Sequence, residues 1–203
     1  MYIHKNGNII TAFRFGTCKM DGVKKILLIS GKRKSGKDYI SSTLQNILGD
    51  RCQIVHISEP IKEEWAKRLN LNLSELLSDG PYKEKYRKDM IEWSDSVRMT
   101  DFGYFCRSAM LHAQAEFVIV SDVRRKTDIK YFHENYGSLV LTIRINTKDT
   151  VRVERGWVFT NGVDDVPSEC DLDDYNQWDV VLQNNCMSDG ASCIEILKDK
   201  LKV

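Results

Sequence analysis

Residues 31–38 constrain the fold of this chain more than any other stretch. They read Gly-Lys-Arg-Lys-Ser-Gly-Lys-Asp, so that four residues separate the first glycine from a glycine–lysine pair. An apolar run at 26–29 precedes them, and residues 39–48 have the spacing of a helix. A buried strand before such a loop and a helix after it are the context of a phosphate-binding P-loop. The pattern therefore predicts a nucleotide site where the first strand ends.

The residue types in this loop suit the binding of an anion. Gly31 and Gly36 allow backbone conformations in which successive N–H groups point toward one anion. The following helix adds the positive end of its dipole, and Lys37 can reach the terminal phosphates. We expect ATP to be bound by the residues Gly31, Lys32, Arg33, Lys34, Ser35, Gly36, Lys37 and Asp38.

Asp38 departs from the usual loop pattern, which has a serine or threonine hydroxyl at this position as a ligand of Mg²⁺. A carboxylate there would repel the phosphates unless a metal ion, a water or nearby cations offset its charge. Three cations, Lys32, Arg33 and Lys34, lie in the same loop and keep its charge positive. Asp38 is therefore a candidate Mg²⁺ ligand, although a carboxylate in the first turn of a helix is also favoured by the helix dipole alone.

Composition limits the classes of function. A chain of 203 residues with 42% hydrophobic and 29% charged residues is typical of a globular protein that builds one core. The net charge of +1 argues against a broad basic surface for nucleic acid. Basic residues nevertheless cluster locally, and acids gather at 164–174, which favours a small polyanionic substrate. We expect no nucleic-acid partner and a monomer.

Cysteines and apolar runs exclude further classes. The six cysteines contain no C-x-x-C pair, and they are typical of reduced thiols rather than of a disulfide framework or a zinc site. No apolar run approaches the length of a membrane span, so no membrane partner is expected. These features predict a cytosolic protein.

The order of the predicted elements indicates an α/β fold. Strands are predicted at 25–30, 52–57, 117–122, 139–146 and 179–183, and helices at 39–48, 127–136, 148–155 and 191–201. Strands that alternate with helices predict a parallel sheet between two helical layers. We expect an N-terminal extension (1–23) and one P-loop kinase domain (24–203), with a helical acceptor-binding insertion at about 60–115 and a mobile lid at about 148–176.

The predicted third strand is followed by residues that suit a phosphate site. Asp122 stands where a carboxylate at the carboxyl edge of the sheet could hold Mg²⁺ directly or through water. The alternative is an aspartate that caps a turn or a helix. Arg124 and Arg125 come directly afterwards, and we expect them to bind phosphate because a guanidinium binds phosphate oxygens in pairs and stays charged.

Two more groups of cations are candidates. Arg152 and Arg155 lie three residues apart and therefore on one helical face, where a lid would bring them over the transferring phosphate. The alternative is a solvated helix face. In the helical insertion, the candidates for the anionic groups of the acceptor are Lys83, Arg87, Arg98 and Arg107, with Lys62 in addition. We expect no general base, because an acceptor phosphate is already ionised.

The chain resembles the animal-type phosphomevalonate kinases from about residue 24 onward. The resemblance is carried by the loop at 31–38 and by the strings Tyr82-Lys83-Glu84, Arg87-Lys88-Asp89-Met90-Ile91, Ser121-Asp122-Val123-Arg124-Arg125, Arg155-Gly156-Trp157-Val158-Phe159-Thr160, Gly162-Val163-Asp164-Asp165, Ser168-Glu169-Cys170 and Leu172-Asp173. The resemblance implies a fold like that of nucleoside-monophosphate kinases. It also implies transfer of the ATP γ-phosphate to 5-phosphomevalonate in the synthesis of isoprenoids and sterols.

The same resemblance assigns roles to individual residues. Lys37 would contact the ATP phosphates, and the catalytic or phosphate-binding arginines would be Arg124, Arg125, Arg144 and Arg155. Arg87, Arg98 and Arg107 match basic positions of the acceptor region. Asn184 matches a substrate-contacting asparagine, and Asn185 lies where ATP is contacted, although asparagine is not the usual residue at that position. Some relatives end in a peroxisomal tripeptide, which Leu201-Lys202-Val203 does not resemble.

Two other functions remain open from the residues. A deoxynucleoside-monophosphate or dephospho-coenzyme-A-type kinase also tolerates aspartate after the loop lysine, but it should offer an aromatic or amide pocket for a base within 60–110. A non-catalytic nucleotide-binding protein would bind ATP without turnover.

Overall fold

Five parallel strands form the centre of the molecule, whose computed structural model describes residues 22–78 and 80–203. The strands are β1 Lys25–Gly31, β2 Cys52–Val55, β3 Phe117–Val120, β4 Val140–Asn146 and β5 Val180–Gln183. Their order in the sheet is β2-β3-β1-β4-β5, and each neighbouring pair is parallel. Because the strands run in the same direction, all of their carboxyl ends meet at one edge.

Helices connect these strands. They are α1 Lys37–Leu48, α2 Ser58–Leu69, α3 Leu73–Leu77, α4 Pro81–Thr100, α5 Tyr104–Met110, α6 Lys126–Tyr136, α7 Asp149–Glu154, α8 Pro167–Cys170 and α9 Met187–Leu201. Short 3₁₀ turns at Gly49–Arg51 and Gly137–Leu139 precede β2 and β4. No helix among these described residues is long and apolar enough to cross a bilayer.

Both faces of the sheet are covered. In β1, Ile26 and Leu28 belong to the core cluster that α5 and α6 complete, whereas Leu27 and Ile29 belong to the cluster that α1 and α9 complete. All four side chains have 0% exposure, and burying a side chain of this size contributes about 1.5–3 kcal/mol. The predicted three-layer α/β fold is therefore confirmed.

The helices between β2 and β3 have a small core of their own. Trp65 and Ala66 from α2, Leu76 from α3 and Met90 from α4 form this cluster. The Trp93 ring connects it to the main core, since its centroid lies 5.7 Å from that of Phe105. The predicted helical character of this insertion is confirmed, and α4, with 20 residues, is about 30 Å long.

Several predicted bounds were wrong. Strands β2 and β3 both end two residues earlier than predicted, because the chain turns toward α2 at His56 and the Asp122 carboxylate binds the first N–H groups of that helix. The closing helix begins at Met187 rather than at 191. The predicted lid, at about 148–176, contains the short helix α8 in addition to α7. The predicted extension 1–23 lies outside the described residues except for Gly22 and Val23.

Candidate active site

The loop between β1 and α1 has the backbone conformation that its glycines suggested. Gly36, with φ +87°, and Lys34, with φ +61°, are both left-handed. For a residue with a side chain this conformation costs about 1–2 kcal/mol, and such strain is typical of functional loops. The surrounding structure must therefore hold Lys34 in place.

Contacts behind the loop supply that support. The Ser35 carbonyl accepts three hydrogen bonds, from Asn184 Nδ2 at 2.8 Å, Thr147 Oγ1 at 3.0 Å and Arg155 Nη1 at 3.2 Å. Arg152 Nε donates to the Arg33 carbonyl at 2.8 Å. Arg152 belongs to α7, and Thr147, Arg155 and Asn184 directly follow β4, α7 and β5, so the predicted lid segment and the sheet edge fix the loop together.

The loop contacts change the interpretation of three predicted residues. Asn184, predicted to touch substrate, is only 4% exposed and donates its amide to the loop. Arg152, predicted to bind ATP, is 5% exposed, and its guanidinium lies 3.8 Å from the centre of the Trp157 ring. The Asn185 side chain accepts the Lys148 N–H at 2.8 Å. The structure thus places these side chains around the loop and not in the cavity that it faces.

That cavity has a volume of about 750 Å³ and lies at the carboxyl edge of the sheet. The P-loop forms one wall, helices α2 and α4 form another, and the turn after β3 and the start of α8 close it. Its cationic lining consists of Arg33, Lys34, Lys37, Lys62, Lys83, Arg87, Arg98, Arg124 and Arg125. So many cations in one cavity suit the simultaneous binding of two polyanions.

Arg98, Arg124 and Arg125 come together as predicted. Arg124 and Arg125 follow β3, and their guanidinium groups pair with Glu169 and Asp95, each at 2.5 Å. Arg98 reaches the same place from α4 and pairs with Asp128 at 2.6 Å. Burial lowers the pKa of Arg98, but Asp128, Cys106 and Asp95 together raise it by more, so this guanidinium stays charged.

A second group of cations lies toward the start of α4. Burial lowers the pKa of Lys62, and the nearby charges of Lys83 and Arg87 lower it further, whereas Asp122 opposes the shift. Arg87 also pairs with Glu84 at 2.5 Å, and this contact lowers the pKa of the Glu84 carboxyl. An anion at this end of the cavity would be attracted by all three cations.

The two candidate metal ligands differ in their contacts. The Asp122 carboxylate accepts the N–H groups of Ile57 at 2.7 Å and Ser58 at 2.9 Å, as in the capping alternative. Asp38 lies in the first turn of α1, and both of its oxygens are 3.1 Å from Lys37 Nζ. Both carboxylates line the cavity. Since Mg²⁺ is usually held by one or two carboxylates together with substrate phosphates, their position fits this ion, although no group of three or more His, Cys, Asp or Glu residues in the described chain could hold a metal by itself.

Carboxylates of the lid contact the cations that were predicted to bind phosphate. Asp164 pairs with Arg33 at 3.0 Å, Glu169 with Arg124 at 2.5 Å, and Asp173 with Lys32 at 2.5 Å. We call these three the lid carboxylates. Their role was not predicted, and the gathering of acids at 164–174 was the sequence signal for it.

Two predicted arginines lie elsewhere. Arg144 on β4 donates to Ser30 Oγ at 3.0 Å and to Asp173 at 3.3 Å, and it lines a second cavity of about 590 Å³ under the lid. Arg107 on α5 pairs with Asp101 and is absent from the lining of either cavity. The predicted acceptor role of Arg107 therefore has no support in the geometry.

Comparisons with known proteins agree with this site. Residues 29–138 match the family model described as phosphomevalonate kinase. The chain is 58% identical over 185 residues to a phosphomevalonate kinase of Drosophila melanogaster, and the match covers 88% of this chain and 97% of the relative.

Solved structures show likeness of fold. TT1252 from Thermus thermophilus has a TM-score of 0.51 at 16% identity, over 88% of this chain and 98% of that one. Shikimate kinase from Acinetobacter baumannii, in complex with shikimate, has a TM-score of 0.50 at 11% identity, and the match covers 92% of this chain and 98% of that one. At such identities the likeness concerns the fold alone.

Proposed function

The chain belongs to the phosphomevalonate kinase family, and we propose that it transfers the γ-phosphate of ATP to (R)-5-phosphomevalonate. The product is (R)-5-diphosphomevalonate, an intermediate in the mevalonate route to isoprenoids and sterols. The observation that carries this function in the structure is a single cavity lined by a P-loop and by a separate set of acceptor-side cations.

The donor half of the site is the P-loop. Its backbone and Lys37 are positioned to hold the β- and γ-phosphates of ATP, and the dipole of α1 adds positive potential at the same point. Arg155 lies against this loop, with its guanidinium 3.2 Å from the Ser35 carbonyl and 3.1 Å from that of Asn184. Like Asn184, Arg155 is absent from the lining of the cavity, so its predicted role at the donor phosphates stays a proposal that these loop contacts do not support by themselves.

The acceptor half brings a second polyanion to the first. Phosphoryl transfer depends on positioning and on stabilisation of charge in the transition state. In this proposal Arg98, Arg124 and Arg125 would hold the acceptor phosphate. Lys62 from α2 and Lys83 and Arg87 from α4 extend the cationic lining of the same cavity. The acceptor oxygen needs no base, since the phosphate is already ionised.

Magnesium is part of the proposal. Asp38 and Asp122 would hold the ion together with ATP phosphate oxygens, and a bound Mg²⁺ supplies neutralisation of charge that develops on the phosphates. We further propose that residues 148–176 form a lid that excludes water and that 60–115 bind the acceptor. The cytosolic location and the monomeric state stay predictions.

The lining of the cavity favours phosphomevalonate over a nucleotide acceptor. Between its cations the wall is formed by Ile57, Ile61, Met90 and Ile91, with Ser94 beside them. Among the described residues that line this cavity, His56 has the only aromatic ring and none is Asn or Gln, so a base would find few side chains to stack on or to pair with. An apolar wall suits the branched hydrocarbon of phosphomevalonate.

An ADP-release assay tests this function. Turnover is measured with 5-phosphomevalonate, with a panel of deoxynucleoside monophosphates and with dephospho-coenzyme A, each at saturating ATP. We expect turnover of 5-phosphomevalonate alone. If a nucleotide or dephospho-coenzyme A is turned over instead, the proposed acceptor is wrong. If ATP binds but no compound is turned over, the protein is a non-catalytic nucleotide-binding protein.

Replacing Asp38 by alanine tests the metal site. We expect the Mg²⁺ concentration at half-maximal rate to rise by about tenfold, at the lower end of the range seen when groups around a metal are removed. The measurement is a titration of the initial rate with Mg²⁺ at fixed ATP. The control variant is Asp50→Ala, because Asp50 is an exposed acidic residue after α1. If the two variants depend on the Mg²⁺ concentration in the same way, Asp38 is not a ligand of the metal.

A further inference from the structure

We propose that Asp128 is a positioning residue that holds Arg98 and the turn carrying Arg124 and Arg125 in one fixed arrangement. The proposal rests on the function proposed above, in which these arginines receive the acceptor phosphate. Asp128 is among the residues that line the cavity, but it is 0% exposed and both of its oxygens are already hydrogen-bonded, so it would not contact the substrate directly. It would act through the arginines that it binds.

The two oxygens of Asp128 serve two different elements. Oδ2 accepts the backbone N–H groups of Arg124 at 3.1 Å and Arg125 at 3.0 Å, and so fixes the turn after β3. Oδ1 accepts the Arg98 guanidinium at 2.6 Å and the Cys106 thiol at 3.6 Å. A single carboxylate thus connects the turn with α4 and α5.

Burial makes this connection stiff. Asp128 is 0% exposed, and a buried carboxylate is costly unless it is paired and hydrogen-bonded. Burial and the neighbouring Asp128 raise the pKa of Cys106 well above its usual value, so the thiol keeps its proton and donates it. Any shift of Arg98 or of the turn would leave part of this buried charge unsatisfied.

A second ion pair repeats the connection. Asp95, one turn before Arg98 on α4, pairs with the Arg125 guanidinium at 2.5 Å. The turn and α4 are therefore joined twice, whereas the Arg124 guanidinium pairs with Glu169 of the lid. Of the two adjacent arginines, Arg124 is therefore the one whose guanidinium could leave Glu169 of the proposed lid and bind a phosphate instead.

Helix capping alone would not explain these contacts. Asp128 occupies the third position of α6, where an acidic side chain commonly accepts N–H groups at the helix start. Capping uses Oδ2 only, and the pairing of Oδ1 with Arg98 from 30 residues away is not part of it. The two roles can be separated by substitution, because asparagine keeps one oxygen for the N–H groups and loses the charge that Arg98 needs.

The experiment compares Asp128→Asn with Asp179→Asn. Asp179, an exposed residue, is the control because its carboxylate also accepts a backbone N–H, that of Thr142 at 2.7 Å, but it lines neither cavity. We expect Asp128→Asn to lower kcat/KM for 5-phosphomevalonate by about 10- to 100-fold, the scale of a small misplacement of positioning groups. KM for ATP should stay within threefold, and Asp179→Asn should change only the thermal unfolding midpoint.

A double-mutant cycle completes the test. If Asp128 acts through Arg98, then Asp128→Asn in an Arg98→Met background should reduce kcat/KM by less than threefold beyond the loss from Arg98→Met. Additive losses, or equal kinetics for the Asp128 and Asp179 variants, would overturn the proposal. If Asp128→Asn does not fold, Asp128→Ser carries the same test, since its hydroxyl can accept an N–H but is too short for Arg98. Failure of the proposed function would appear separately, as absence of phosphomevalonate turnover by the unaltered protein.

Discussion

Replacing Arg124 by methionine is expected to lower kcat for 5-phosphomevalonate by about two to four orders of magnitude. The Arg124 guanidinium lines the cavity, and its backbone is fixed by Asp128. Methionine keeps most of the length of the side chain and removes the charge that would stabilise the transferring phosphate. The measurement is kcat by ADP release at saturating concentrations of both substrates.

Arg107→Met is the control for this variant. Arg107 is another arginine of the same region, but it pairs with Asp101 and does not line the cavity. We expect kcat and both KM values of Arg107→Met to stay within threefold of those of the unaltered protein. A kcat for Arg124→Met within that same threefold would refute the catalytic assignment, and a large loss in Arg107→Met would restore its predicted acceptor role.

Gly36→Ala is expected to lower kcat/KM for ATP by about 100-fold or more. Gly36 is left-handed, and a Cβ added there would overlap the Asn184 side-chain nitrogen that holds the Ser35 carbonyl. The loop must shift to relieve that overlap, and misplacement of about 1 Å at a phosphate site can cost 10²-fold in rate. Initial rates at varied ATP and a direct ATP-binding isotherm measure the effect.

Gly49→Ala is the control that distinguishes the effect of the clash with Asn184 from the effect of a strained backbone. Gly49 also has a positive φ, +58°, but a Cβ there would meet no atom within 4 Å, and the residue lies at the other end of α1. Its alanine variant should lose stability by about 1–2 kcal/mol with kinetic constants unchanged. Equal activity of the two alanine variants would contradict the importance of the contact between Asn184 and the loop.

The parts of the site that could be predicted are those whose residues are close together in the sequence. The P-loop is recognisable because its glycines, its lysine and the flanking strand and helix all lie within residues 25–48. Arg124 and Arg125 are recognisable because they follow a buried strand of a parallel sheet, whose end must lie at the nucleotide edge. In both cases the local pattern alone determines the position.

Pairings across the chain could not be predicted. Asp128 looks like an ordinary residue near a helix start, and only the approach of Arg98 from α4 gives it a second role. Asn184 was assigned to the substrate from the family resemblance, and the sequence did not indicate that its amide would donate to the Ser35 carbonyl of the loop. Phe105 and Cys106 are buried in the core. Because Arg107 comes directly after them on α5, its side chain lies on a different face of the helix.

The lid carboxylates have a consequence for turnover. Asp164, Glu169 and Asp173 pair with Arg33, Arg124 and Lys32, and in the proposed function they would compete with phosphate for these cations. A site with this much positive charge would otherwise retain a diphosphate product tightly, since charge-assisted contacts to phosphate are strong. In the proposed reaction each substrate would replace a carboxylate at one of these cations, and the carboxylates would pair with the cations again as the product leaves, so that tight binding during the reaction would not lead to slow release after it.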